Sequence, residues 1–246
     1  MKRFAEKVVL VTGASTGIGL ETIFRVQEEG GLVYAAHRGK QTEIDFRGAR
    51  PLRLDVTNEQ EWSAAIDQVI SESGRLDVLV NNAGVRESGT IEETDLKLWY
   101  HLIDTNLTSI FLGCRAAAPA IRKSGGGAIV NVSSITGIRG TENMVAYSAS
   151  KSGVIAMTSS LALDLAKDNI RVNAVCPAAI RTRMVTSWIN QSPDQATAEA
   201  ALLRKHPIGR IGEAREVASV IAFLASDDAG FMTGLAIPVD GGRSIR

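Results

Sequence analysis

Cysteine, proline, histidine and the aromatic residues are all scarce in this chain of 246 residues: two Cys, six Pro, three His, and 5% Phe, Trp and Tyr together. Two cysteines, Cys114 and Cys176, make no disulfide framework and have no metal-ligand spacing. Both read as buried, reduced and cytoplasmic. The histidines His37, His101 and His206 are scattered, with no His-Glu-x-x-His or related cluster, so no metal site is indicated. An excess of one charge is also missing. Lys+Arg and Asp+Glu balance at 27 each, which leaves no electrostatic footprint for nucleic acid or an anionic membrane. Long apolar runs are absent too. The N-terminal stretch "MKRFAEKVVLVTGAS" has a short one that stops at Gly13, too short for a signal segment or a membrane span.

What is present is the make-up of a globular protein, 45% hydrophobic and 22% charged, long enough to bury a sizeable core. Short β-branched apolar runs at 8–12, 32–36, 51–54, 76–80, 128–132, 171–175 and 235–239 read as strands. Several are apolar throughout, as strands covered on both faces must be. Helical patterns separate them. The clearest is 59–73, with Trp62, Ala65, Ile66, Val69 and Ile70 at helical spacing, a capping box from Thr57 and Gln60, and Gly74 as its stop. Repeated β-α alternation predicts an α/β doubly wound, Rossmann-like parallel sheet with helices on both faces. No linker or shift of composition divides the chain, so 1–246 is expected to be a single domain. The polar, Ala-rich segment 183–206 is an insertion and a candidate lid over a site; an ordinary surface helix pair would have the same composition.

The turn after the first strand, "VVLVTGASTGIGLET", sets Gly13, Gly17 and Gly19 between a buried strand and a helix. Glycines there allow a tight turn and close backbone approach to a ligand. The helix that follows aims its N–H groups at an anion such as a pyrophosphate. Gly13, Ser15, Thr16, Gly17, Ile18 and Gly19 are therefore candidate dinucleotide contacts, although the spacing is G-x-x-x-G-x-G rather than G-x-G-x-x-G. After the second strand the chain reads "VYAAHRGK", with His37, Arg38 and Lys40 and no carboxylate to accept from the ribose hydroxyls of NAD. An arginine suits a 2′-phosphate, which favours NADP(H), with NAD(H) as the alternative. Further on, "VAYSASKSGV" sets Tyr147 and Lys151 at i and i+4, on one helix face. A cation beside a phenol lowers the phenol's pKa and makes an acid/base group usable near neutral pH.

In order along the chain stand "TGASTGIG", "LDVT", "NNAG", "NVSS", "YSASK", "RVNAVCPAAIRT" and "VDGG". Together they resemble the short-chain dehydrogenase/reductase family in its single-domain form, over about residues 7–242. The resemblance implies a seven-stranded sheet, a nicotinamide cofactor, hydride transfer between an alcohol and a ketone or aldehyde, and a homo-oligomer, tetramer or dimer. It implies that Tyr147 is the acid/base, that Lys151 holds the nicotinamide ribose and depresses Tyr147, and that Ser134, rather than its neighbour Ser133, binds the substrate oxygen. It assigns Asn106 to a proton relay through a water. Asp55 and Val56 would touch adenine, Asn82, Ala83 and Gly84 the adenosine ribose, and Pro177, Ile180 and Thr182 the carboxamide and phosphates. Ala178 stands where the family usually has glycine, which puts the backbone geometry there in question.

The expected reaction is thus that of a carbonyl reductase or alcohol dehydrogenase. A 3-oxoacyl-carrier-protein reductase is the alternative, with Arg122, Lys123 and Arg171 as the basic residues that would meet an acidic carrier and Glu142 arguing against one. A non-catalytic dinucleotide sensor is the alternative from another class. Ile138, Met144, Val145, Met184 and Trp188 are candidates for an apolar substrate wall, and 107–120 and 148–165 for oligomer-forming helices.

Overall fold

A computed structural model of the chain describes residues 2–39 and 44–246. The apolar runs form β1 (Val8–Thr12), β2 (Leu32–His37), β3 (Arg50–Arg53), β4 (Val78–Asn81), β5 (Gly127–Val132) and β6 (Ile170–Pro177), then the two-residue strands β7 (Ile180–Arg181) and β8 (Gly212–Glu213), and last β9 (Ala236–Val239). Seven of them pair in the order β3-β2-β1-β4-β5-β6-β9, every pair parallel. Between them lie α1 (Gly17–Glu28), α2 (Glu59–Ser73), α3 (Leu96–Ile103), α4 (Ser109–Lys123), α5 (Val145–Leu165), α6 (Arg183–Asn190), α7 (Gln195–Arg204) and α8 (Ala214–Ala225).

Parallel neighbours need crossover connections, and here these are helices that cover both faces of the sheet. Successive side chains of a strand therefore enter two different cores. Val8 and Leu10 of β1 pack with Trp62 of α2, Ile110 of α4 and Val154 of α5. Val9 and Val11 pack with Ile23 and Val26 of α1 and Val217 and Ile221 of α8. Buried amides fasten strand to strand and strand to helix α5. Asn81 Nδ2 donates to Asn131 Oδ1 at 2.9 Å, and Asn131 Nδ2 donates to Thr158 Oγ1 at 3.0 Å. Cys114 lies beside them as a free thiol that burial pushes up to about 12.

The order reverses between β1 and β4: β2 and β3 lie to one side, and β5, β6 and β9 to the other. The loops leaving the C-terminal ends of β1 and β4 diverge, and ligands bind in the crevice so formed.

Strand ends differ from the sequence reading by a residue or two, and two helices differ in a way that has a cause. The cap of α2 is Asn58, not Thr57: Asn58 Oδ1 accepts from the backbone N–H of Gln60 at 2.9 Å and of Glu61 at 3.1 Å. Thr57 turns back, and its hydroxyl donates to Asp55 Oδ1 at 2.8 Å. Gly74 ends α2 in the left-handed region, φ 75°, as expected. The helix expected from residue 107 is joined to α3 through a π-helical turn, Asp104–Thr108, and sequence periodicity does not reveal such turns. Replacing Asn58 by Ala is expected to cost about 1 kcal/mol by urea unfolding, and Thr57→Ala clearly less. Equal losses would contradict the assignment of the cap.

Candidate active site

The crevice begins at the glycine turn. Gly13 and Gly17 have φ of 62° and 58°, the region that favours glycine. A Cβ on Gly13 would sit 2.8 Å from the Ala83 Cα, and one on Gly19 would run into the Gly13 carbonyl and lie 2.6 Å from Asn82 Nδ2. The turn is held from β4. Asn82 Nδ2 donates to the carbonyls of Thr12 at 2.9 Å and Gly13 at 3.1 Å, while Thr12 Oγ1 accepts from the N–H of Asn82 and of Ala83. Helix α1 then starts at Thr16 with no side chain capping it and no acidic residue in its first turn. Its free N–H groups and dipole are available to an anion. A bare backbone cradle beside an uncapped helix end fits the pyrophosphate of a dinucleotide.

The acid/base candidates stand at the other end. Tyr147 and Lys151 are buried on α5, and Ser134 is buried at the end of β5, where its Oγ accepts from Thr136 N–H at 3.2 Å. Ser133 points elsewhere: its Oγ donates to the Lys151 carbonyl at 2.8 Å. Lys151 Nζ donates to the Val132 carbonyl at 2.9 Å and lies 5.9 Å from the centre of the Tyr147 ring. Asn106 sits in the π-helical turn, wholly buried behind these groups. Its Oδ1 accepts from Val85 N–H at 2.9 Å, and its Nδ2 donates to the Val85 carbonyl at 3.0 Å and to Ser150 Oγ at 3.2 Å.

Burial decides the electrostatics. It raises the Tyr147 phenol above its ordinary value, against the pull of the Ser134 hydroxyl and the Arg86 guanidinium. It lowers Lys151 to about 8, with the neighbouring Cys176 thiol acting the other way. The expected depression of Tyr147 by Lys151 is thus corrected. The ammonium is turned to a main-chain carbonyl, and desolvation outweighs charge.

A family model described as "Enoyl-(Acyl carrier protein) reductase" matches residues 13–244. The chain is 42% identical to the cyclopentanol dehydrogenase of Comamonas testosteroni, over 98% of each protein. It is 39% identical to the 3-oxoacyl-[acyl-carrier-protein] reductase of Thermotoga maritima, over 99% of this chain and 100% of that one. The ligand-free structure of the aldohexose dehydrogenase of Thermoplasma acidophilum superposes with a TM-score of 0.93 at 39% identity, covering 100% of this chain and 96% of that one. The chain belongs to the short-chain dehydrogenase/reductase family. It is an oxidoreductase of alcohols and ketones, and the family implies a nicotinamide dinucleotide as its cofactor.

In this short-chain dehydrogenase/reductase the two ends join in one cleft of about 610 Å³. Gly13, Ser15, Thr16, Gly17, Ile18, His37, Arg38, Asp55, Val56, Asn82, Ala83, Gly84, Ser134, Tyr147, Lys151, Pro177, Ile180 and Thr182 all line it. Gly19 and Asn106 do not; each sits behind the surface and shapes it. Lys40 lies outside the described residues. Ala178 lines the cleft without a left-handed backbone angle, so a methyl group there is unstrained. Several lining residues carry no motif and escaped the sequence reading, among them His101, Asp104 and Thr105. Thr12, the first residue of "TGASTGIG", braces the turn through its hydroxyl, a role the motif does not spell out.

Three basic residues are misplaced for an acidic partner at this cleft. Arg122 and Lys123 end α4 ahead of β5, and Arg171 begins β6, so all three lie at the N-terminal edge of the sheet, opposite the site. Arg122 pairs with Asp168 at 2.6 Å, and Arg171 donates to the carbonyls of Leu224 and Ser226.

Gly19→Ala is expected to weaken dinucleotide binding at least about tenfold while the protein still melts cooperatively, because the added methyl pushes the turn off its brace. Wild-type affinity in that variant would refute the cradle. A second expectation concerns Lys151. Its folded value, about 8, is below the unfolded one, so the unfolded chain binds the extra proton between about pH 8 and 10.5. The stability of the wild type relative to Lys151→Met should be constant below that window. It should rise through the window by on the order of 3 kcal/mol. Urea unfolding of both proteins across the pH range measures this, and a flat difference would contradict a buried, destabilised ammonium.

Proposed function

We propose that the protein is an NADP(H)-preferring carbonyl reductase and alcohol dehydrogenase acting on a small molecule, with Tyr147 as its acid/base. One observation carries this reading: Tyr147, Ser134 and Lys151 line the same cleft as the uncapped start of α1. A bound nicotinamide dinucleotide supplies or accepts the hydride. Ser134 and Tyr147 donate to the substrate oxygen, where negative charge builds during reduction. Tyr147 passes its proton to that oxygen, and takes it back in oxidation. A phenol that burial keeps protonated is suited to the first role. Lys151 holds the nicotinamide ribose. Asn106 holds the Val85 loop and, as the family resemblance implies, a water of the proton relay.

Support for NADP(H) comes from Arg38, which lines the cleft just past β2 where no carboxylate stands. Its charge, with that of Arg53, helps to hold the nearby Asp55 below the usual carboxylate range, after the larger effect of the Thr57 N–H. Asp55 is already engaged by Thr57 and so is poorly placed to bind ribose hydroxyls. We take the α6–α7 segment within 183–206 as the lid of the substrate end, in a single domain of 1–246. We take a homo-oligomer, dimer or tetramer, formed through α4 and α5, where Phe111 and Leu163 are exposed at 47% and 82%. The reduced thiols suit a cytoplasmic setting. A 3-oxoacyl-carrier-protein reductase is the second reading, favoured by the match to the Thermotoga maritima protein. Turnover of acyl-carrier thioesters with none of free ketones would establish it.

Tyr147→Phe is expected to lower turnover about 10²-fold or more while cofactor affinity stays within about threefold of wild type. Near-normal turnover would remove Tyr147 from the mechanism. Arg38→Ala is expected to weaken NADPH about tenfold or more and NADH far less, by equilibrium titration. A wild type that binds NADH more tightly than NADPH would contradict the cofactor preference.

A further inference from the structure

Beside the acid/base tyrosine stands an arginine that the reaction as derived so far does not use. Arg86 directly follows Val85, whose N–H and carbonyl are both clamped by Asn106, so its main chain is fixed. Its guanidinium lies over the ring of Trp188, 5.5 Å from the ring centre. Trp188 belongs to α6, in the inserted segment. Stacking on an indole orients the planar fork without neutralising its charge. Val85, just before Arg86, and Met184, one turn ahead of Trp188 on α6, both line the cleft with Tyr147, which sets the guanidinium at the rim of the reacting end, and its charge acts on the phenol.

Arg86 is half-buried, yet among the described residues it forms no ion pair and donates no side-chain hydrogen bond. The nearest acidic neighbour in the chain, Glu87, faces His101 at 3.5 Å. A second cation acts on it. Burial lowers Arg86 from its ordinary value, Tyr147 acts against that shift, and Arg243, also half-buried in the C-terminal segment, adds to it by a smaller amount. Arg139 lies behind Arg243 and donates to its carbonyl at 2.8 Å and to the main-chain terminal oxygen of Arg246 at 2.6 Å. Asp240, whose charge acts on Arg243, already accepts from the N–H groups of Gly242 at 3.0 Å and Ser244 at 2.6 Å. A half-withdrawn guanidinium facing a second cation costs free energy unless an anion arrives to join them. The unmet charge and the fixed orientation make an acceptor for a negative group on whatever lies against Tyr147.

We propose that Arg86, stacked on Trp188 and backed by Arg243, docks a carboxylate of the substrate, so that the enzyme acts on oxo acids and hydroxy acids in preference to neutral ketones and alcohols. The inference rests on the reading of Tyr147 as the acid/base. It deepens that reading by fixing the chemical class of the substrate and the end at which it is held. A guanidinium fork matches the two oxygens of a carboxylate, and a lost charge partner at such a site costs a factor of tens or more.

The test compares 3-oxocyclopentanecarboxylate with its methyl ester, the same ring with its charge removed, and with dihydroxyacetone phosphate. Wild type is expected to show kcat/KM at least about tenfold higher for the acid than for the ester. Arg86→Gln should lower kcat/KM for the acid about 30-fold or more and for the ester by about threefold at most, and Arg86→Lys should recover part of the loss. Arg243→Gln should weaken the acid less than Arg86→Gln does. An ester used as well as the acid, or an Arg86→Gln variant that loses both equally, would overturn the proposal. A preference for the phosphate over the carboxylate would overturn the assignment of carboxylate. Calorimetric titration of the acid into wild type and Arg86→Gln separates this question from the reading beneath it. If no carbonyl compound is turned over, that reading fails. The docking point then stands if wild type binds the acid at least about tenfold more tightly than Arg86→Gln does, and falls if the two bind alike.

Discussion

The geometry of the cleft depends on one fastening, the Asn82 amide on the carbonyls of Thr12 and Gly13. It joins the C-terminal ends of β1 and β4 at the place where the strand order reverses. Their continuations part there, and without a tie across them the glycine turn would be free to drift. With the tie, the turn packs so closely that neither Gly13 nor Gly19 has room for a side chain. The uncapped end of α1 is thereby held at a fixed place in the crevice. A dinucleotide can then be bound by backbone, and the side chains farther along the cleft are left for the reaction.

At the far end the ruling constraint is desolvation. Tyr147, Lys151 and Cys176 are all buried within one small region, and each is displaced toward its neutral form. Lys151 finds a main-chain carbonyl rather than a carboxylate, which keeps its ammonium hydrogen-bonded without fixing its charge. Such a site suits a proton donor and a cation that hold their protons at neutral pH, the first firmly and the second by a narrow margin. Asn106 contributes through geometry. The π-helical turn aims its amide at both polar groups of Val85, and this sets the loop from which Arg86 extends.

Much of this was legible in the sequence, because its signals were covalently short. Apolar β-branched runs and helical spacing marked the sheet and its cover. The glycine turn, "NNAG" and Tyr-x-x-x-Lys each keep their partners within a few residues, and the structure brings them to one cleft. Properties that depend on distant packing were not legible. The cap of α2 moved by one residue because Asn58 outcompetes Thr57 for the helix N–H groups. The sign of the Tyr147 shift does not follow from spacing, which reports proximity along a helix, whereas burial reports the whole fold. Arg122, Lys123 and Arg171 looked available until the sheet placed them at its opposite edge. Nothing in the spacing of Arg86, Trp188 and Arg243 foretold their meeting, since they come from three segments far apart in the chain.

The central claim is hydride exchange between a nicotinamide dinucleotide and a carbonyl carbon at this cleft. The most direct measurement follows the reduced-nicotinamide absorbance and the alcohol formed, together, with purified protein, NADPH or NADH, and a panel of cyclic and linear ketones. The account predicts one dinucleotide oxidised for each alcohol made, dependent on the ketone and faster with NADPH. Tight binding of either dinucleotide with no ketone-dependent oxidation of it would contradict the account and leave a binding protein in its place.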